Sequence, residues 1–139
     1  MAYREFSMAQ VKQRFKLQEK KLVLFSDIEP LDLSDWLKKY LEMGIKLALA
    51  SSSEKARSEF IVAPILLELE TNNVEHLSVF SGIRLDVDEE CCLKGECDFL
   101  ISKRPLQSNL EAPILCLVEA QKNDVSDGLG QCVAQMLGA

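Results

Sequence analysis

The chain is poor in aromatic residues, in paired cysteines and in long apolar runs, and each shortage narrows what it can be. Aromatics make up 6% of its 139 residues, with one tryptophan, so the core must be built from Leu, Ile and Val. The longest uncharged apolar run, Phe60 to Leu67, falls far short of the roughly 20 residues needed to cross a bilayer. Met1-Ala2-Tyr3-Arg4-Glu5 lacks an apolar signal region, which leads to the expectation of a cytoplasmic protein with no membrane attachment. Five cysteines are an odd number, and the adjacent Cys91-Cys92 lack zinc-ligand spacing, so reduced structural thiols are expected. His76 has no Cys or His at ligand spacing and reads as a surface residue. Basic residues are also short: 16 against 22 acidic ones, a net charge of −6. That excludes a nonspecific nucleic-acid coat but not a local basic groove beside a metal site. The run Asp86, Asp88, Glu89, Glu90 has the wrong spacing for an EF-hand and reads as a solvated turn.

What remains is 47% hydrophobic and 27% charged, the balance of one folded domain. Residues 1–50 read as an N-terminal helical extension packed on a core of residues 51–139. Ser7 caps a short helix through Leu17. Leu22 to Phe25 is a short apolar piece, and Asp27 to Asp32, with Pro30, is a connection. Ser34 opens a second helix whose stripe of Trp36, Leu37, Tyr40 and Leu41 docks on the core rather than forming a partner groove. Ser51 with Glu54 fits a capping box, with Ser52 and Ser53 as alternative caps, for a helix running to Glu70. Its apolar stretch predicts burial against a sheet. Pro64 removes a backbone donor and predicts a kink near Phe60.

Three strands are predicted next. Val79 to Val87 alternates loosely, and Glu96 to Ser102 alternates cleanly. Pro113 opens Ile114 to Gln121, apolar on both faces and therefore read as a central, covered strand. A last helix starts at Asp127 and runs to the chain end.

The informative residues are carboxylates in apolar surroundings. Glu119 ends the most apolar strand, and Asp98 sits among Cys97, Phe99, Leu100 and Ile101. Burying an unpaired carboxylate costs several kcal/mol. A hairpin through 103–112 brings the two side by side, where a divalent cation relieves their repulsion. Hard oxygen ligands suit Mg²⁺ or Mn²⁺.

These residues, together with Glu59 on the first core helix, Gly95-Glu96-Cys97-Asp98, Val118-Glu119-Ala120-Gln121-Lys122 and Gly130-Gln131, resemble the PD-(D/E)XK nuclease superfamily over roughly residues 52–139. The resemblance implies an α/β, restriction-endonuclease-like αβββα(β) core. Its sheet would be mixed and flanked by helices, and the chain stops before the last strand. It implies that Asp98 and Glu119 hold Mg²⁺ or Mn²⁺, that Glu59 assists, with Glu54 a rival for that role, and that Gln131 steadies the site or the nucleic acid. The position of the family's lysine holds Gln121, with Lys122 displaced by one. A glutamine can position water but cannot act as a base. Gln135, one turn on, and the phosphate-contacting candidates Arg57 and Lys94 complete the set. The implied activity is Mg²⁺-dependent hydrolysis of phosphodiester bonds, in DNA rather than RNA, with a homodimer among the expected states. The alternative is an inactive relative serving as a nucleic-acid-binding or protein-interaction module. The plain readings are a buried ion pair for Glu119 with Lys122 or Arg57, a surface pair of Glu59 with Lys55, and solvated side chains elsewhere.

Overall fold

The computed structural model describes residues 2–122 and 124–139. A 3₁₀ turn, Tyr3–Glu5, precedes α1 (Met8–Phe15). Ser7 and Gln10 form a reciprocal capping box at its start: Ser7 Oγ accepts the Gln10 N–H at 3.3 Å and Gln10 Oε1 accepts the Ser7 N–H at 2.8 Å. Tyr3, Phe6 and Val11 bury themselves against Leu93 and Ala134, which ties the N-terminal segment to the rest of the protein. Leu22, Val23, Leu24 and Phe25 lie outside regular structure and are exposed.

Helix α2 (Asp35–Ala50) is capped by Ser34, whose hydroxyl accepts the Leu37 N–H at 3.1 Å. The buried line is Leu37, Gly44 and Ala48, whereas Trp36 and Tyr40 of the expected stripe are exposed. Gly44 sets this rotation. A Cβ there would collide with the carbonyl of Phe60, so only glycine allows this approach.

The helix expected from Ser51 to Glu70 is interrupted. It comprises α3 (Glu54–Arg57), a π-helical turn (Ser58–Val62) and α4 (Ala63–Thr71). Pro64 cannot donate to the Phe60 carbonyl, and the turn widens until the Ala63 N–H reaches Ser58 O, five residues back. The cap is Ser53, whose hydroxyl accepts the Ala56 N–H at 3.4 Å. α3 starts at Glu54, which puts its N-cap at Ser53, and Ser51 is instead the C-cap of α2, its N–H donating to Leu47 O at 3.1 Å. The Phe60–Leu67 run is half-buried rather than enclosed, with Leu66 inside and Leu67 exposed.

The fold is mixed α/β. Strands β1 (Ser78–Arg84), β2 (Glu96–Ser102) and β3 (Ile114–Val118) form one sheet in that order, antiparallel throughout. A mixed sheet needs a crossover between parallel strands, and each link here turns back on its own strand. The expectation that the 114–121 run is central is also overturned. β2 lies in the middle, and β3 is an edge with Leu115 56% exposed. On β2, Phe99 and Ile101 pack on Leu66 of α4, while Leu100 packs with Phe80 and Cys97. Helix α5 (Val125–Gly138) follows, capped by Asp124, whose carboxylate accepts the Ser126 N–H at 2.9 Å. Among the described residues, no helix is long and apolar enough to cross a membrane.

Candidate functional site

Residue pairing between β2 and β3 runs from Ser102 back to Phe99, which faces Val118. The next residues in that register are Asp98 and Glu119. Here the ladder gives way to side chains. Glu119 Oε1 accepts the Asp98 N–H at 3.1 Å, and Asp98 Oδ2 accepts the Ala120 N–H at 2.8 Å. Each carboxylate thus binds the backbone of the other's strand, which fixes both heads at the end of the sheet.

Helix α5 supplies the next layer. Gln131 Nε2 donates to Glu119 Oε2 at 2.6 Å, and Gln135 Nε2 donates to Oε1 at 2.6 Å. The two glutamines are four residues apart, so one helix face presents both amides to one carboxylate. Gln135 is fully buried, and its Oε1 has no partner among the described residues. A carboxylate offers about four lone-pair sites. On Glu119 three are taken, which leaves one on Oε2. Oδ1 of Asp98 accepts no hydrogen bond among the described residues.

Glu119 is half-buried, and its pKa is pushed up to about 7. Burial is the main cause, the charges of Asp98 and Glu54 add to it, and the hydrogen bonds from Gln135 and Asp98 oppose it. No ion pair among the described residues involves Asp98 or Glu119. The plain reading, in which Arg57 or Lys122 neutralises Glu119, does not describe this arrangement. Arg57 Nη1 instead donates to Gln121 O at 3.0 Å and to Lys122 O.

Asp98, Glu119 and Gln131 line one cleft of about 480 Å³, joined by Glu54 from the start of α3. Arg4, Arg84 and Lys94 line the same cleft. Glu59 is not part of this cleft. It pairs with Lys55 at 3.7 Å and lies on a neighbouring groove that also touches Asp98 and Glu54. Gln121 and Lys122 do not line the cleft either. β3 ends at Val118, so strand alternation does not carry Gln121 to the Glu119 face. Its side chain lies against Gly128, where a Cβ would overlap it. Cys97, buried beside the acids, has its thiol pushed up to about 12 by burial and then by the charges of Glu119 and Asp98, which disqualifies it as a nucleophile.

The sequence offers Gln135 only as the residue one turn beyond Gln131 and gives no signal for Arg4 or Arg84. The spacing of four between the glutamines was the available signal for Gln135. Nothing local marks Arg4, which is brought to the cleft by the burial of Tyr3 and Phe6 and by the Tyr3 N–H bond to Lys94 O at 3.0 Å.

Among the described residues, no group of three His, Cys, Asp or Glu side chains is arranged to hold a metal ion. The donor set that does exist is two adjacent carboxylates lining one open cleft. Mg²⁺ keeps several waters and commonly takes only one or two carboxylates plus substrate phosphates, so Asp98 and Glu119 fit that ion. No protein-family model, no curated protein and no solved structure matches this chain.

Proposed function

We propose that the protein is a metal-dependent phosphodiester hydrolase of restriction-endonuclease-like architecture acting on DNA. The observation that carries this reading is the acid pair. Asp98 and Glu119 come from neighbouring strands, meet in one cleft, are held by reciprocal backbone bonds, and form no ion pair among the described residues. The element order supports it, with a broken helix, three antiparallel strands and a helix bringing the site together. A fold selected for stability alone would place an apolar residue at position 119.

Asp98 Oδ1 and Glu119 Oε2 would hold the cation, which supplies charge stabilisation of the phosphate and a more acidic bound water. Gln131 and Gln135 keep Glu119 oriented and leave one of its lone pairs facing the cleft. Water adds to phosphorus, a P–O ester bond breaks, and the proton lost by the water ends on the departing oxygen. Gln121 is turned against Gly128 and does not take the place of the family's lysine. The expected turnover is therefore slow.

That same absence favours a second reading, an inactive relative that binds nucleic acid through this cleft. Plasmid cleavage in Mg²⁺ or Mn²⁺ separates the two. Nicking by the parent chain that disappears in Asp98→Ala and Glu119→Ala supports the hydrolase. Equal cutting by parent and variants overturns the site. No cutting, with DNA binding retained, supports the binder.

A further inference from the structure

We infer that the chain pairs with a second copy of itself by exchanging a segment, with residues 20–25 of each protomer lying in an apolar groove beside Trp36 and Tyr40 of the other. The inference does not depend on the hydrolase reading.

Both halves of such an interface are open in the single chain. Residues 18–36 are exposed without a break. Within them Lys20-Lys21-Leu22-Val23-Leu24-Phe25 lies outside regular structure, and its four apolar side chains are 71% to 84% exposed. Single exposed apolar residues are ordinary, but four in succession mark an interaction surface. The groove is the other half. Trp36 and Tyr40, which the sequence pattern assigns to the core, instead line an open groove of about 390 Å³ with Pro64, Leu67, Val79 and Phe99. An adjoining hollow of about 320 Å³ shares Trp36 and Leu67 and reaches Ser34.

Charge selects the occupant. The ionisable residues lining the two hollows are Glu59, Glu68 and Glu70, with no Lys, Arg or His among the described residues. Glu59 carries the exposed Lys55 in a loose pair at 3.7 Å, and Glu70 Oε1 accepts the Val79 N–H at 2.9 Å. An apolar body with a basic end suits that lining, and Lys20-Lys21 ahead of Leu22 to Phe25 has that form. Glu19 is held by Lys12 at 3.0 Å, and Asp27, Glu29 and Asp32 belong to the connection that follows. The tether selects the copy. Ser34 N–H donates to Glu68 Oε1 at 3.0 Å, which fixes the end of that connection on the rim of the groove. The segment thus has its own groove within reach at high effective concentration and stands out of it. That leaves the groove to a second protomer. Each segment departs from the rim of its own groove, so a segment entering a neighbour's groove brings the neighbour's segment to its own, and the exchange closes as a twofold dimer. Leu22 to Phe25 with Trp36, Tyr40 and Leu67, at on the order of 100 Å² each, cover roughly 700 Å² per protomer, close to the roughly 800 Å² of a standard interface.

The test uses the intact chain in sedimentation equilibrium over a concentration series, with the emission of Trp36, the one tryptophan, as a second readout. A reversible dimer is expected, with Trp36 emission shifting to the blue as it forms. Leu24→Asp with Phe25→Asp removes the segment, and Leu67→Asp removes the groove. All three positions are exposed, so circular dichroism should match the parent. Tyr40→Ser serves as the groove variant if Leu67→Asp loses its helical spectrum. Each variant should be monomeric where the parent is dimeric. Mixed in equal amounts, the two should associate more tightly than either alone, because one intact segment meets one intact groove. Lys20→Glu with Lys21→Glu should raise the dimer Kd about tenfold, by less at high salt. A parent chain that is monomeric at every concentration overturns the inference, and Trp36 emission that reddens in the segment variant of such a monomer shows the segment in its own groove. A dimer that survives both variants, or a mixture no tighter than its components, overturns it as well.

Discussion

Gln135 is sealed inside the protein with its amide nitrogen 2.6 Å from Glu119 Oε1, so the most deeply buried polar side chain of α5 serves a carboxylate at the end of the sheet. Gln135→Leu keeps the volume and removes the donor. Glu119 then keeps its burial but loses an opposing hydrogen bond, and its pKa should rise above about 7. The stability cost is expected at about 1–3 kcal/mol, measured by urea unfolding at pH 8. A variant as stable as the parent, with an unmoved pKa, would falsify the role given to Gln135.

Stability should fall as pH rises between about 4.5 and 7 in the absence of divalent metal. The unfolded Glu119 loses its proton near the ordinary glutamate value of 4.5, whereas the folded one keeps it until about 7. The folded state therefore binds the extra proton in that window, and stability is fully present below it and lost above it. Partial exposure limits the effect to something on the order of 2 kcal/mol. Denaturant titrations at pH 5 and pH 8 in EDTA check the sign.

Divalent metal should reverse that trend, because a cation at Asp98 and Glu119 competes with the proton. Mg²⁺ or Mn²⁺ at a hundredfold excess over Kd stabilises by about 2.7 kcal/mol. Thermal melts at pH 8 with and without metal should show this as a raised Tm, and Asp98→Asn should remove the increment. A metal response of equal size in Asp98→Asn places the ion elsewhere.

Gln131 sits at the cleft rather than beneath it, so Gln131→Ala should act on turnover more than on folding. Outer partners of metal-binding carboxylates commonly matter by about 10–100-fold in activity or affinity, and a loss of that size in kcat/KM is expected. The comparison with Gln135→Leu is informative: the buried glutamine should shift Tm more and the cleft glutamine should shift kcat/KM more.

Gly44→Ala tests the helical layer away from the cleft. The new methyl meets the Phe60 carbonyl, which belongs to backbone and cannot rotate away. Overpacking of this kind costs about 1–3 kcal/mol. Circular dichroism melts should register it, and an unchanged Tm would show that α2 slides freely over the π turn.

Local chemistry made much of this legible in advance. Ser7 and Ser34 announce their helices because a hydroxyl before an amphipathic run has backbone donors to satisfy. Clean alternation gave β2 its true limits, Glu96–Ser102, and placed Asp98 where Glu119 can meet it. Longer-range facts left no such mark. Whether β3 is central or an edge depends on what pairs with it, and an apolar run of five residues looks the same either way. Ser51 and Ser53 carry the same cap chemistry, and the start of α3 at Glu54 gives the cap to Ser53. Gln121 was misplaced for a similar reason. The carboxylates of Asp98 and Glu119 capture the N–H groups that would have extended the ladder, so the strand stops and its alternation stops with it.

The widened turn at Ser58–Val62 acts as a rotational setting for everything before it. An α-helix advances about 100° per residue, so one residue deleted from that turn would spin α3 by that angle relative to α4. Glu54 would swing out of the cleft and another side chain would take its place. How Glu54 is presented to the sheet end is thus governed by the count of residues between Pro64 and the Ser53 cap.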